Sequence, residues 1–160
     1  MSLAETSIPN LHSNEISTLK NLRLKHPKNV SLSYLNINSI RNKFPHLSDV
    51  VLGKIDYLAI AETKLDSSFP SNQFIIPGLR KPYRLDVSGS SGGLLVYVNN
   101  DIPSRVLKAY ELPHDIQAIP IELNLRKSKW LIIAIYKPPC QNVYNFLQTI
   151  SNMIDYYTTT

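Results

Sequence analysis

The segment that most constrains this chain is Tyr57–Ala61, five consecutive apolar residues followed at once by Glu62-Thr63-Lys64. A strand with one wet face alternates polar and apolar residues. A short, uninterrupted apolar run bounded by polar residues reads instead as a strand buried on both faces. Such a strand sits inside a sheet that has material packed on either side. The rest of the sequence must supply those layers.

The flanking segments supply them. Val30, Leu32 and Tyr34 alternate with Ser31 and Ser33, which predicts a strand ending near Asn36–Asn38. Ile40, Phe44, Leu47 and Val51 then recur at helical spacing, and Pro45 moves the helix start to about Phe44, since proline is tolerated in a first turn. A Pro/Ser/Asn loop at 66–73 leads to Phe74-Ile75-Ile76 and the turn Pro77-Gly78. Further strands are expected at Tyr83–Leu85, Leu94–Val98, Ile116–Leu125 and Trp130–Tyr136. Gly89, Gly92 and Gly93 make a turn that opens onto Leu94, and Asn99-Asn100-Asp101 closes that strand. Arg126-Lys127-Ser128-Lys129 reads as a hairpin tip. Val143, Leu147, Ile150, Ile154 and Tyr157 form an apolar stripe on a last helix, with Asn142 as its N-cap. Residues 1–29 are polar and read as a leader or linker, with a short helix around Glu15–Lys25 carried by Ile16, Leu19, Leu22 and Arg23. The main domain is then 30–160, of α/β class, with a mixed sheet flanked by helices and no internal repeat.

Composition narrows the function classes. Hydrophobic residues make up 43% and charged residues 18%, a globular balance. No run approaches the roughly 18 apolar residues of a membrane span, and the start Met1-Ser2-Leu3-Ala4-Glu5-Thr6 has no signal-peptide pattern. The one cysteine, Cys140, cannot form an internal disulfide, and no Cys/His group has zinc spacing. An intracellular setting, nuclear or cytoplasmic and not secreted, is the expectation. The net charge of +5 is concentrated in residues 1–30, with four Lys/Arg against two carboxylates, and 71–130, with eight against five. That excess suits a phosphate-backbone partner and is equally common in ordinary soluble proteins.

Three strands end in residues able to do chemistry: Leu35-Asn36-Ile37-Asn38-Ser39, Ala61-Glu62-Thr63-Lys64 and Ile135-Tyr136-Lys137-Pro138-Pro139. Functional side chains gather at the carboxyl ends of strands in open α/β sheets. An Asn can hold a phosphate or a metal-bound water, a strand-end carboxylate suits a hard cation such as Mg²⁺, and a Tyr hydroxyl can donate to a phosphate oxygen. Each also has a plain structural reading. Asn38 or Ser39 can cap the next helix, Asn36 can bond a turn, Glu62-Thr63-Lys64 can be a solvated loop, and Tyr136 can be a half-buried strand aromatic.

Taken in order, Asn36-Ile37-Asn38-Ser39-Ile40-Arg41-Asn42-Lys43, Ile60-Ala61-Glu62-Thr63-Lys64-Leu65-Asp66, Ser91-Gly92-Gly93-Leu94-Leu95-Val96-Tyr97-Val98 and Ile135-Tyr136-Lys137-Pro138-Pro139 resemble the endonuclease/exonuclease/phosphatase superfamily. The likeness is to the apurinic-endonuclease-like domain of non-LTR retrotransposons, and it runs from about Leu22 onward. It implies the N-terminal half of a four-layer α/β sandwich of the deoxyribonuclease-I type, acting in a Mg²⁺-dependent DNA endonuclease that nicks a target site. It also implies that Asn36 organises the metal and the scissile phosphate, that Glu62 ligates Mg²⁺ (Mn²⁺ as substitute), and that Tyr136 contacts the phosphate. Lys137 would touch the DNA backbone; Arg41 and Lys43 could reach DNA too, although a solvated helix start is the preferred reading of those two. The Gly92-Gly93 pair reads as structural.

The sequence also departs from that pattern. Pro138-Pro139 follow Lys137 where some relatives carry an Asn. The Gly-Asp-Phe-Asn and Ser-Asp-His segments of the family are not in these 160 residues, and His12, His26, His46 and His114 lie in no matching context. The expectation is a fragment that supplies little more than one of the family's two sheets and is inactive alone. Its expected partners are DNA, the remaining half of the domain and a downstream reverse transcriptase, with no membrane. The other reading is a non-catalytic remnant with at most weak nucleic-acid binding.

Overall fold

In the structure, a computed structural model describing residues 11–87, 90–113 and 116–159 with side chains from Ser17 onward, the chain is mixed α/β. Among the described residues, seven strands form two sheets. The first is mixed, with β1 (Leu32–Asn36), β2 (Tyr57–Ala61), β3 (Tyr83–Leu85) and β4 (Leu94–Val98) in the order β1-β2-β4-β3. The second is antiparallel, with β5 (Ser104–Val106), β6 (Gln117–Leu125) and β7 (Ser128–Tyr136) in chain order. The sequence reading allowed for little more than one sheet. The second arises because the β6–β7 hairpin packs face to face on the first sheet rather than extending it.

The apolar run of β2 explains the layering. Tyr57, Ala59 and Ala61 point toward the second sheet and meet Leu94, Val96 and Val98 of β4 with Ile119, Ile121 and Leu123 of β6. Leu58 and Ile60 point the other way, joining Leu95 and Tyr97 against Leu47 and Val51 of helix α2 (Phe44–Val51). All five residues of β2 and of β4 are buried, as two-sided cover requires. Helix α2 begins at Phe44 with Pro45 in its first turn, where the missing N–H has no helical partner in any case.

Helix α1 (Leu11–Lys25) lies within the stretch read as a polar leader. Leu19 packs against the core on the α2 side. The Arg23 guanidinium meets the Asp56 carboxylate at 2.7 Å and also donates to the Asn29 carbonyl at 3.1 Å. Arg23 donates to the Ser31 hydroxyl as well, at 3.1 Å, so this polar helix is attached largely through one guanidinium. Burial raises the Asp56 carboxyl, but the Ser31 amide, Arg23 and the Asn99 amide outweigh it and hold the group below the usual carboxylate range.

Helix α3 (Val143–Thr159) starts as expected, with the Asn142 side chain accepting the Asn145 N–H at 3.2 Å. Its inward face differs from the expected stripe. Val143, Leu147 and Ile154 are exposed, and the buried residue is Met153. Met153 and Tyr157 border one cleft with Ala118 and Pro120 on the outer face of β6, so α3 sits over the second sheet, away from the first. The Tyr157 hydroxyl donates to the Lys108 carbonyl at 2.7 Å.

The hairpin tip is narrower than expected. Arg126 and Lys127 alone form it, both at positive φ (46° and 74°), and Ser128 and Lys129 already belong to β7. Two left-handed residues give the twist that joins antiparallel strands directly. Strands β1 and β7 are the outer strands on the same side of the two sheets, where Leu32, Tyr34 and Trp130 stand about half exposed. Among the described residues no helix is long and apolar enough to cross a membrane. Gly89, His114 and the side chain of His12 lie outside the described residues.

Candidate functional site

Parallel pairing sets the site. In the β1–β2 register Asn36 stands opposite Ala61, so both strands end at the same edge and release Asn36 and Glu62 side by side. Antiparallel β4 begins at that edge, with Leu94 opposite Ala61. Tyr136, the last residue of β7, arrives there from the second sheet.

The three side chains meet at one atom. Asn36 Nδ2 donates to Glu62 Oε1 at 2.9 Å, and the Tyr136 hydroxyl donates to the same oxygen at 3.0 Å. Asn36 Oδ1 in turn accepts the Asn38 N–H at 3.2 Å, which fixes the orientation of its amide. The Asn36 amide holds the Glu62 carboxyl below the usual range, helped by Tyr136 and the Lys64 ammonium against a burial effect that raises it. Burial and the adjacent carboxylate both push the Tyr136 hydroxyl up. Glu62 is therefore ionised and Tyr136 protonated at neutral pH, the states needed for an oxygen ligand and a proton donor.

The two loops bearing Asn36 and Glu62 have an unusual backbone. Asn38, Ser39, Glu62 and Lys64 all lie at positive φ, between 46° and 77°. Residues with a Cβ rarely adopt that region, and clusters of them persist only where the surroundings hold them. Here the loops hold each other. The Ser39 N–H donates to the Glu62 carbonyl at 2.8 Å and the Ile40 N–H to the Thr63 carbonyl at 3.1 Å. Thr63 and Lys64 donate their N–H groups to the carbonyls of Gly93 and Gly92, at 3.3 and 3.0 Å.

The basic residues singled out in the sequence are engaged within the protein. Lys43 Nζ donates to the Ile37 and Asn38 carbonyls at 2.5 and 3.0 Å. Arg41 donates to the Lys64 carbonyl at 2.8 Å and stacks 4.6 Å from the Phe69 ring centre. Lys137 Nζ donates to the Pro138 and Gln141 carbonyls at 3.0 Å each. All three brace the loops around the site. Lys64, which is not among those basic residues, is a cation acting on Glu62, and its Nζ donates to Asn38 Oδ1 at 2.5 Å. Tyr34 was also missed. Its hydroxyl donates to the Ile135 carbonyl at 3.1 Å, fixing β1 to β7 just before Tyr136. Its place in the alternating Val30–Tyr34 pattern was the available signal.

The donor set tests which metal fits. Among the described residues no three His, Cys, Asp or Glu side chains are grouped to hold an ion. That does not suit a closed zinc site. One ionised carboxylate suits Mg²⁺, which keeps several waters and is held through one or two carboxylates with substrate phosphates. Compared with known proteins, the chain matches no family model and no curated protein.

Proposed function

We propose that this chain carries the metal- and phosphate-binding part of a Mg²⁺-dependent DNA endonuclease, within a sandwich of the deoxyribonuclease-I type. The observation that carries the reading is the convergence of Asn36, Glu62 and Tyr136, from three strands and two sheets, on a single carboxylate oxygen. A core assembled from two sheets would not need three polar strand ends to meet at one point. A site for a phosphodiester and its counter-ion would.

In this reading Glu62 would hold Mg²⁺, with Mn²⁺ as a substitute, and Asn36 would organise the site around it. When bound, the ion neutralises charge on the phosphate and polarises its P–O bonds. Tyr136 keeps its proton and turns its hydroxyl from Glu62 toward a non-bridging phosphate oxygen. Asn36 fixes the carboxylate rotamer, and the Lys64 ammonium adds positive potential at the same edge. Activation of water requires a general base within hydrogen-bond reach. The reading assigns that role to the Gly-Asp-Phe-Asn and Ser-Asp-His segments of a partner half-domain, and reverse transcription to a further partner. One observation favours the non-catalytic alternative: among the described residues, no three His, Cys, Asp or Glu side chains are grouped to hold an ion.

The test is duplex DNA binding by the chain with Mg²⁺ and with chelator, across a salt series, followed by plasmid nicking. The endonuclease reading expects binding that strengthens with Mg²⁺, weakens as salt rises and loses its Mg²⁺ response in Glu62→Ala. Binding indifferent to Mg²⁺ in both proteins would leave the non-catalytic reading. In a protein completed with the remaining half of the domain, nicking at an undiminished rate by Glu62→Ala would remove the role given to Glu62.

A further inference from the structure

Gln117 is a buried polar side chain that the proposed chemistry does not use. It is the first residue of β6, 7% exposed, and stands in an otherwise apolar stretch. Burying an amide is unfavourable unless its hydrogen bonds are made. One of them is visible: Gln117 Oε1 accepts the Gly93 N–H at 2.8 Å. The fit is tight, since a Cβ on Gly92 would lie 2.4 Å from Gln117 Nε2.

The position of Gln117 connects both supports of Glu62. In one direction it fixes the Gly92-Gly93 turn of the first sheet. The carbonyls of those glycines accept the Lys64 and Thr63 N–H groups that follow Glu62. In the other direction its register partner across the β6–β7 ladder is Tyr136, the donor to Glu62 Oε1. Carboxylate and hydroxyl belong to different sheets, and Gln117 is a side chain that crosses between those sheets at the site. Glu62 itself has φ 55°, a conformation its own backbone does not favour, so its aim depends on such outside bonds.

We propose that Gln117 is a positioning residue for the Glu62–Tyr136 pair, fixing the spacing of the two sheets at that edge through Gly93. The proposal rests on the reading of Glu62 and Tyr136 as the cation and phosphate site. Without Gln117 the Gly93 N–H loses its acceptor, the Thr63-Lys64 latch loosens, and the carboxylate drifts from the hydroxyl.

The experiment compares the unmodified chain with Gln117→Met, which keeps the volume and removes the acceptor, and Gln117→Glu, which restores an acceptor. Ile121→Val, a core change in the same strand, is the control for simple destabilisation. Carboxyl NMR follows the titration of Glu62, and calorimetry follows Mg²⁺ binding. Gln117→Met is expected to move the Glu62 titration up toward the ordinary carboxylate range and to weaken Mg²⁺ about tenfold, the usual effect of losing a residue that orients a ligand. Gln117→Glu recovers the Glu62 titration, and Ile121→Val leaves it in place while lowering the thermal midpoint. An unchanged Glu62 titration in folded Gln117→Met overturns the proposal. Should that variant not fold, amide exchange of the unmodified chain decides. A Gly93 N–H protected like the β6–β7 ladder supports the latch, and one exchanging like an open loop overturns it. A Glu62 shift in a chain that binds no Mg²⁺ keeps the positioning role and removes the metal reading instead.

Discussion

Replacing Gly93 by alanine tests the latch on which the site's geometry depends. Gly93 has φ 91°, and a Cβ built there would lie 2.3 Å from Thr63 Oγ1, with the Leu85 carbonyl and the Lys64 N–H each at 3.6 Å. Two costs follow. A Cβ in a left-handed conformation costs about 1–2 kcal/mol. The collision cannot be relieved toward solvent, because Thr63 is fully buried. Overpacking of that kind costs about 1–3 kcal/mol. Gly93→Ala should therefore lose about 2–5 kcal/mol of stability in urea unfolding, a large part of a small domain's total. The collision partner is one atom, so removing it should return part of the loss. In a double-mutant cycle Gly93→Ala with Thr63→Ala should be less destabilised than additivity expects, with a coupling of about 1 kcal/mol or more. The backbone cost should remain. A loss below about 1 kcal/mol in Gly93→Ala, or strict additivity in the cycle, would refute the geometry argued here.

Two further expectations concern charge. Tyr136→Phe removes one of the two hydrogen bonds to Glu62 Oε1, so the Glu62 carboxyl should titrate higher while Asn36 still holds it below the ordinary range. An unmoved titration by NMR would place the Tyr136 hydroxyl elsewhere. Arg23→Ala should cost about 1–2 kcal/mol at neutral pH, less than a fully buried pair, since Asp56 keeps its Ser31 and Asn99 bonds. The folded Asp56 carboxyl lies below its unfolded value. Its stabilisation is thus complete above the unfolded value and disappears as pH falls through the folded one. The gap between wild type and Arg23→Ala in urea midpoints should narrow over that acid range, and a gap constant with pH would contradict the assignment.

The sequence made some of this visible and concealed the rest for physical reasons. The strand ends bearing Asn36, Glu62 and Tyr136 could be read because period and polarity change sharply there. That they meet at one oxygen could not, since it depends on how the second sheet packs on the first. Strand β5, three residues with two exposed, leaves almost no pattern. Arg41, Lys43 and Lys137 carry charge that suggests DNA, yet each satisfies carbonyls of the loops around the site, which composition cannot reveal. The apolar stripe of α3 predicted a helix correctly and its buried face only in part, through Ile150 and Tyr157. Val143, Leu147 and Ile154 are as apolar as core residues, but Met153 points inward. Gln117 gave one signal, a lone amide in the apolar run 116–121, and the paired glycines gave its complement. Only the fold connects them.

The central claim is that Asn36, Glu62 and Tyr136 form a site for a divalent cation and phosphate, and paramagnetic Mn²⁺ tests it most directly. Titrated into the labelled chain, Mn²⁺ should first broaden the NMR signals of Asn36, Glu62 and Tyr136 and their loop neighbours Asn38 and Lys64. Excess Mg²⁺ should reverse the effect, and Glu62→Gln should abolish it. Broadening centred on other carboxylates such as Asp66 or Glu122, or equal broadening in Glu62→Gln, would contradict the account.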